Sequence, residues 1–249
     1  MAIKSKIPIE IVNSHTTADA PPTVYHIRNQ FKKWENGGID CKIVYPKYKG
    51  VSTSMWELIP IKKIPPTRLA RYCCAVLKET TGNGRMIATG VRWAESSARA
   101  KNRSQFEALA AKRQNKMLLS DNDDKRQLFE ACTLKAKRIV NPIIDWTDDE
   151  IWEYAETEKL YMNPLYECGF KRVGCVGCPL AGKSRTKEFA AFPKYRDMYI
   201  SAFARMLEAR KAEGKNDSTG TWKSPIDVYH WWMEDGVLPG QIEMEGFET

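Results

Sequence analysis

The sequence predicts an α/β protein with a doubly wound, mostly parallel sheet and a helical C-terminal extension. Short apolar runs rich in β-forming residues alternate with helical patterns as far as Pro179, and this alternation is typical of βαβ units. Beyond Pro179 the strand pattern ends and two helical patterns follow. With 249 residues, of which 43% are hydrophobic, the chain is long enough to bury a sizeable core.

Four strands are predicted from apolar runs bounded by turn residues: residues 9–12, 39–45, 86–91 and 138–145. Pro21 and Pro22 open the first predicted helix, which runs to the Gly37-Gly38 pair and has Asp19 as its cap. Thr147 and Glu150 predict a capping box for a helix over residues 148–158. Further helices are predicted over residues 65–79, 99–114, 193–214 and 224–236, and a polar loop over residues 118–125.

The charge and hydropathy of the chain indicate its surroundings. A net charge of +8 favours an anionic partner, such as a nucleotide, a phosphate or sulfate ester, or a nucleic acid, although the cations are dispersed as on any solvated surface. The mean hydropathy is −0.50, and the sequence has no apolar run of membrane-spanning length, so we expect a cytoplasmic protein. In that reducing compartment the seven cysteines suggest metal binding, redox chemistry or simple burial.

The segment GCVGCPLAGKS, residues 174–184, has two incompatible interpretations. From Gly177 it matches a phosphate-binding P-loop, and from Cys175 it is a C-x-x-C knuckle that would hold a metal or a cluster. A P-loop needs a buried strand before its glycines, but two glycines and two cations occupy that place. Pro179 also removes an amide donor from the supposed cradle, so the knuckle is favoured.

Four cysteines form a candidate ligand set, namely Cys73, Cys74, Cys175 and Cys178. Four thiolates suit either a zinc ion or a four-iron cluster. Neighbouring side chains on a helix diverge by about 100°, so two adjacent sulfurs converge poorly on one small ion and reach a larger cluster more easily. Three alternatives stay open at this point: a cluster, a zinc site, and buried cysteines that bind nothing.

Several motifs in order along the chain resemble the phosphoadenosine phosphosulfate reductase family, which belongs to the adenine nucleotide alpha-hydrolase-like group. They are RYCC followed by LK, then TGVRWAESSARA, PIIDWTDDEIWEY and NPLYECGFKRVGCVGCP, and the resemblance extends over about residues 8 to 182. It implies that the four cysteines hold a four-iron four-sulfur cluster beside an adenine nucleotide or sulfonucleotide. The implied division is a family domain over residues 1–182 and a helical extension over residues 183–249.

The same resemblance implies the residues that contact the nucleotide. The loop after the first predicted strand resembles the adenosine side of the site, and the basic residues after the third strand resemble contacts to the anionic end. These candidates are Thr16, Thr17, Asp19, Lys78, Gly90, Arg92 and Arg99. Plainer roles are open for most of them: turn and cap residues at 16–19, a helix-end cation at Lys78, and ion pairs of Arg92 and Arg99 with Glu95.

Two departures from the family pattern shape the expected function. The Ser-Gly-Gly-x-Asp-Ser phosphate loop is absent, so we expect an N-terminally truncated or split relative, with the missing loop either supplied by a partner chain that completes the sheet or lost from the start of the gene. The last cysteine is Cys178, and Glu167-Cys168-Gly169 precedes the knuckle, so the thiol that attacks in sulfonucleotide reduction has no counterpart on a C-terminal tail. We therefore expect sulfur or nucleotide transfer in sulfur metabolism. The alternative is a non-catalytic cluster or zinc module that binds a nucleotide or a nucleic acid. Residues 229–232 with Trp222 are candidate stacking groups for bases, but packing of the C-terminal helices is the favoured role of these aromatics.

Overall fold

The structure, a computed structural model, describes residues 1–79, 81–82, 84–109, 116–119, 137–214 and 222–234; of residues 108–109, 116–119 and 137 it describes the backbone alone. The chain divides into two compact units. Unit 1 comprises Met1–Thr81 and Asn163–Glu243, and unit 2 comprises Gly82–Met162 and Met244–Thr249. The predicted domains, residues 1–182 and 183–249, stay predictions.

Unit 1 begins with a βαβ unit. Strand β1 (Glu10–Ser14) pairs in parallel with β2 (Asp40–Val44), and helix α1 (Pro21–Asn36) connects them, which confirms the three predicted elements. The predicted cap was wrong: Ala20 is the N-cap and makes no side-chain cap bond. Pro21 and Pro22 lack amide hydrogens, so the first turn has fewer donors to satisfy, and the Asp19 carboxylate instead accepts from Thr16 N–H at 3.1 Å.

The next part of unit 1 contains elements that the sequence patterns did not predict. A hairpin of β3 (Lys47–Tyr48) and β4 (Val51–Ser52) precedes helix α2 (Met55–Lys62). The Ser54 hydroxyl caps α2 by accepting from Glu57 N–H, whereas Pro60 inside the helix obscures its pattern. Helix α3 (Tyr72–Leu77) is shorter than the predicted helix over residues 65–79, because a turn at Thr67–Ala70 separates it from the prolines.

Three helices complete the described part of unit 1, where two were predicted. They are α6 (Ser184–Ala191), α7 (Pro193–Ala212) and α8 (Pro225–Met233). The labels follow chain order, and the two helices before them, α4 and α5, belong to unit 2. Trp232 on α8 is buried against the rings of Tyr199 and Phe203, and its indole N–H donates to Pro66 O. The buried Arg185 on α6 donates to the carbonyl oxygens of Trp232 and Met233 at the end of α8. The C-terminal helices therefore belong to the core of unit 1.

Unit 2 contains a mixed four-stranded sheet in the order β5-β8-β6-β7. Its strands are β5 (Met86–Ala88), β6 (Phe106–Leu109), β7 (Lys116–Leu119) and β8 (Lys137–Val140). Strand β5 is parallel to β8, whereas β6 is antiparallel to both β7 and β8. The described residues therefore show α and β elements with separate small sheets, and not the one doubly wound parallel sheet that was predicted.

Two predicted elements of unit 2 changed. The predicted helix over residues 99–114 is α4 (Ser97–Asn102) followed by β6, and residues 118–119 of the predicted loop are in β7; residues 110–114 and 120–125 lie outside the described part. Strand β8 ends before Pro142, which has no amide to continue the ladder. Helix α5 (Asp148–Thr157) begins with the predicted capping box, since Thr147 N–H donates to Glu150 Oε2 at 2.7 Å and Glu150 N–H donates to Thr147 Oγ1.

Candidate functional site

The first group of candidate residues forms a loop at the carboxyl end of β1. Thr16 is buried, and Thr17 has a backbone φ of +63°, which side-chain-bearing residues seldom adopt. The Thr17 hydroxyl accepts a hydrogen bond from Met55 N–H, the first amide of α2, at 2.8 Å. The loop is thus fixed to the start of a neighbouring helix in an unusual conformation, which makes it a candidate binding element.

A pocket opens at the same end of β1 and β2. Polar groups of Asn13, His15, Asp19 and Arg28 line it together with the apolar side chains of Val24, Ile27 and Ile43. Ligands of parallel α/β sheets bind outside the carboxyl ends of the strands, and this pocket has that position. Its lining combines an apolar wall, a cation and hydrogen-bonding groups, but the cavity of about 10 Å³ holds no more than a water molecule.

The knuckle around Cys175 contacts this loop directly. Val176 N–H donates to Ala18 O at 2.8 Å, and Asp19 and Cys175 form an isolated antiparallel bridge. The Cys175 thiol lies 3.3 Å from Thr16 Oγ1 and 3.9 Å from Asp19 Oδ1. The segment predicted to bind a nucleotide and the segment predicted to bind a metal or cluster are therefore one connected structure within unit 1.

Helix α3 contributes Cys73 and Cys74. The interaction of the two neighbouring thiols raises the pKa of Cys73 and lowers that of Cys74; burial raises the former further, and the Arg71 guanidinium lowers the latter. Cys178 and Cys175 also raise the pKa of Cys73 through their charges, so all four cysteines are electrostatic neighbours. Burial is the main cause of the raised pKa of the Cys175 thiol.

Cations accompany the four cysteines. Loss of water around the Lys78 ammonium would lower its pKa, but the charges of Cys175, Asp19 and Cys74 outweigh this effect and raise it. Arg71 Nη2 lies 3.5 Å from Cys74 Sγ, and Arg172 Nη2 lies 3.9 Å from Cys178 Sγ. Lys78 therefore interacts with the cysteine group, while its predicted role as a nucleotide contact stays a prediction. Arg71 and Arg172 were missed, although each lies within three residues of a cysteine motif.

The knuckle turn itself is held by Glu188 of α6, another residue that the sequence analysis missed. The buried Glu188 carboxylate accepts from Gly177 N–H at 2.7 Å, and burial raises its pKa despite this bond. A P-loop would offer that amide to a phosphate, but here a carboxylate already occupies it. Residues 169–174 are turns and irregular backbone and not a strand, so the P-loop interpretation fails in its structural context as well.

The donor types in the cysteine group bear on which cofactor or metal these residues could hold. Its four thiols and nearby cations match a four-iron cluster in donor type, number and charge. Yet among the described residues no three His, Cys, Asp or Glu side chains lie close enough together to hold one metal ion. Tetrahedral zinc requires four ligands within about 2.3 Å, whereas a cluster spreads its ligands over several iron atoms.

The other candidates, Gly90, Arg92 and Arg99, lie in unit 2. Arg92 forms an ion pair with Asp148, at 2.7 Å, and donates to Trp146 O, so its predicted alternative pairing with Glu95 was wrong. Arg99 does pair with Glu95, as that alternative anticipated. A Cβ at Gly90 would meet the Ile143 side chain at 3.8 Å, an ordinary contact. Their predicted role as nucleotide contacts stays a prediction.

The aromatic residues at the C-terminal end are largely core, which is the role that the sequence favours over base stacking. Trp222 and Trp232 are buried, and the rings of Trp222 and Trp231 pack edge to face.

Within the described ranges, no helix has both the length and the apolar character needed to cross a membrane.

Comparisons with known proteins place these features in a family. The model of the phosphoadenosine phosphosulfate reductase domain matches residues 1–181 of the chain. Adenosine 5′-phosphosulfate reductase of Rhodococcus erythropolis is 29% identical over 111 residues, which are 43% of this chain and 35% of that protein. The protein of the same name from Deinococcus radiodurans is 44% identical over 48 residues, or 19% of each chain.

A third relative is an uncharacterized protein of Methanocaldococcus jannaschii, 28% identical over 85 residues, or 33% of this chain and 19% of that protein. These matches span from about a fifth to about a third of the length of the curated relatives. The family model, in contrast, covers well over half of the chain. The chain belongs to the phosphoadenosine phosphosulfate reductase domain family.

Proposed function

We propose that this chain binds an adenine nucleotide or sulfonucleotide beside an iron–sulfur cluster and takes part in sulfur or nucleotide transfer. One observation carries the proposal. The cysteines of two distant segments, Cys73-Cys74 and Cys175-x-x-Cys178, form one electrostatic group that contacts the Thr16–Asp19 loop. The family membership of the chain supports the same ligand class.

In this proposal Cys73, Cys74, Cys175 and Cys178 hold the cluster, which supplies a redox-active or electrostatic centre when it is bound. Thr16 and Asp19 fix the position of the buried Cys175, and Lys78 balances negative charge in the group. The nucleotide lies along the edge of the sheet lined by Asn13, His15, Asp19 and Arg28, with the Arg28 guanidinium available for an anionic group.

Reduction of a sulfonucleotide is a weaker candidate than transfer. Cys168 is exposed and lies in the Glu167-Cys168-Gly169 sequence, but Lys187 Nζ holds the carbonyl oxygens of both Cys168 and Gly169. That bracing differs from a mobile tail that could deliver a thiol to a bound substrate. We therefore assign no catalytic nucleophile.

The cluster is tested by anaerobic purification followed by measurement of iron, acid-labile sulfide and visible absorbance. We expect a brown protein with about four irons per chain, as a cubane cluster requires. Cys73→Ser and Cys175→Ser should each lose the colour, whereas Cys168→Ser, a matched exposed cysteine outside the group, should keep it. Zinc without iron or sulfide would instead favour a non-catalytic zinc module, and protein without any metal would contradict the site.

The nucleotide is tested separately by the thermal shift that adenosine 5′-phosphosulfate or AMP produces. Ligand that binds only the folded state adds to the free energy of unfolding by mass action and so raises the melting temperature. At a hundredfold excess over Kd the added free energy is about 2.7 kcal/mol. Arg28→Gln should remove this rise while Arg99→Ala keeps it, if the pocket of unit 1 binds the anionic group. The opposite result would assign the anion contact to Arg99, and no shift at all would contradict nucleotide binding.

A further inference from the structure

Two exposed arginines direct their guanidinium groups at cysteine sulfurs. Arg71, the N-cap residue of α3, lies 3.5 Å from Cys74 Sγ through Nη2. Arg172, in the segment before the knuckle, lies 3.9 Å from Cys178 Sγ, also through Nη2. The two arginines come from separate segments, so two independent parts of unit 1 each bring a guanidinium close to a cysteine sulfur.

Both arginines interact with a carboxylate through charge alone, Arg71 with Glu79 and Arg172 with Glu188. Within the part of the chain that the structure describes, neither Arg71 nor Arg172 forms an ion pair with Asp or Glu. This differs from Arg92 and Arg99 of unit 2, each of which pairs with a carboxylate. A guanidinium gains more from an anionic acceptor than from a neutral thiol, so the arrangement favours cysteines that carry negative charge.

The segment that carries Arg172 is itself braced. Lys187 of α6 donates to Gly169 O at 2.7 Å and to Cys168 O at 3.3 Å, and its ammonium lies over the Phe170 ring. Arg172 is therefore presented from a segment that is held on both sides, by Lys187 and by the knuckle. A cation held in place has a defined effect on a nearby charge, because little of its interaction is lost to motion.

We infer that Arg71 and Arg172 are positioning residues that hold Cys74 and Cys178 and raise the reduction potential of the cluster that these cysteines bind. The inference rests on the proposed function. Hydrogen bonds and positive charge at ligand sulfurs stabilise the reduced cluster, which carries one more negative charge, over the oxidised one. Loss of either guanidinium should therefore make the cluster harder to reduce.

The experiment is a redox titration of the anaerobic, cluster-loaded protein with dithionite, followed by its electron paramagnetic resonance signal and visible absorbance. Arg71→Gln and Arg172→Gln should each shift the midpoint potential to more negative values, with iron content close to that of the unaltered protein. Lys171→Gln is the matched control, because Lys171 is an exposed cation adjacent to Arg172 and makes no sulfur contact in the described structure. Its potential should equal that of the unaltered protein.

Arg71→Lys and Arg172→Lys keep the charge but lose the planar donor group, so they should bind iron and show a smaller negative shift. If a glutamine variant loses its cluster, the midpoint potential of the corresponding lysine variant tests the inference instead. Unchanged potentials in all four arginine variants would overturn the inference while leaving the cluster itself intact. An unaltered protein without iron and sulfide would overturn the proposed function, and the inference with it.

Discussion

Gly177 is the residue on which the geometry of the knuckle most depends. Its φ is +73°, and a Cβ at this position would lie 2.5 Å from Phe189 Cζ and 2.9 Å from Tyr199 Cε2. Gly177→Ala should therefore combine backbone strain with overpacking and lower the free energy of unfolding by about 2 to 5 kcal/mol. Denaturant titration of the metal-free protein measures this loss.

Gly214 provides the control for that prediction. It has a φ of +66°, and a Cβ there would meet nothing within 4 Å. Gly214→Ala should then cost only the backbone strain, about 1 to 2 kcal/mol. Equal losses in the two variants would show that the close approach of Phe189 and Tyr199 to Gly177 is unimportant.

Glu188 predicts a dependence of stability on pH. Burial raises its pKa in the folded protein, so the folded state keeps this proton to a higher pH than the unfolded state. Its contribution to stability is fully present below the unfolded pKa, about 4.3, and is lost as the pH rises through the raised folded pKa. Glu188→Gln does not titrate, so its stability relative to the unaltered protein should increase over that interval.

Urea titrations from pH 4 to pH 8 measure that difference. Glu188→Ala serves as the comparison, because it leaves the buried Gly177 N–H without its acceptor and should be less stable than Glu188→Gln by about 1 to 3 kcal/mol. A stability difference between Glu188→Gln and the unaltered protein that stays constant with pH would contradict the prediction.

At the residue scale, sequence reasoning selects candidates by residue type and spacing. It selected the four cysteines, whose charges interact in the structure, while their role as ligands stays a prediction. It failed where the partner is distant in sequence: Arg92 pairs with Asp148, and Glu188 binds the Gly177 amide, and neither pairing has a local pattern. Arg71 was predictable in principle, since it lies two residues before Cys73.

At the scale of elements, the segment GCVGCPLAGKS shows how context decides between two motifs. Lys183 of the apparent P-loop is exposed and is the N-cap of α6, where it makes no side-chain cap bond. Lys183→Ala should therefore leave iron content and the nucleotide-dependent rise in melting temperature within error of the unaltered protein. A P-loop lysine contacts phosphate, so loss of that rise with iron retained would revive the discarded interpretation.

Elements with strong local signals were predictable, and those that depend on tertiary pairing were not. The capping box at Thr147 and the Pro-Pro start of α1 mark two helices correctly. The strand Phe106–Leu109 was taken for helix because its sequence, FEAL, has good helix formers. It forms a strand beside β8, where the buried Glu107 carboxylate accepts from the Asn141 side chain at 2.9 Å, a contact between residues far apart in sequence.

At the scale of the whole molecule, the family and the α/β class were predictable, but the arrangement of the sheets was not. Alternation of strands and helices indicates the class, whereas strand order and direction depend on pairings such as β6 with β8 that local patterns do not encode. The four cysteines all belong to unit 1, although residues 75–174 separate Cys74 from Cys175 and most of unit 2 lies within that stretch.

This distribution predicts that a bound cluster protects the two units unequally. Ligand binding adds to the folding free energy of the part that forms the site, so loading should slow amide hydrogen exchange in unit 1 by at least about tenfold, which 1.4 kcal/mol achieves. Buried amides such as those of Phe203 and Met206 should report the change, while the Ile139 and Ala155 amides of unit 2 should exchange at the same rate with and without the cluster.

Hydrogen exchange measured by mass spectrometry on the anaerobic loaded and metal-free proteins tests this prediction. Cys168→Ser should behave like the unaltered chain, and Cys73→Ser should show no slowing. Equal slowing in both units would mean that they unfold together, and would contradict a stabilising effect confined to the unit that contains the cysteines.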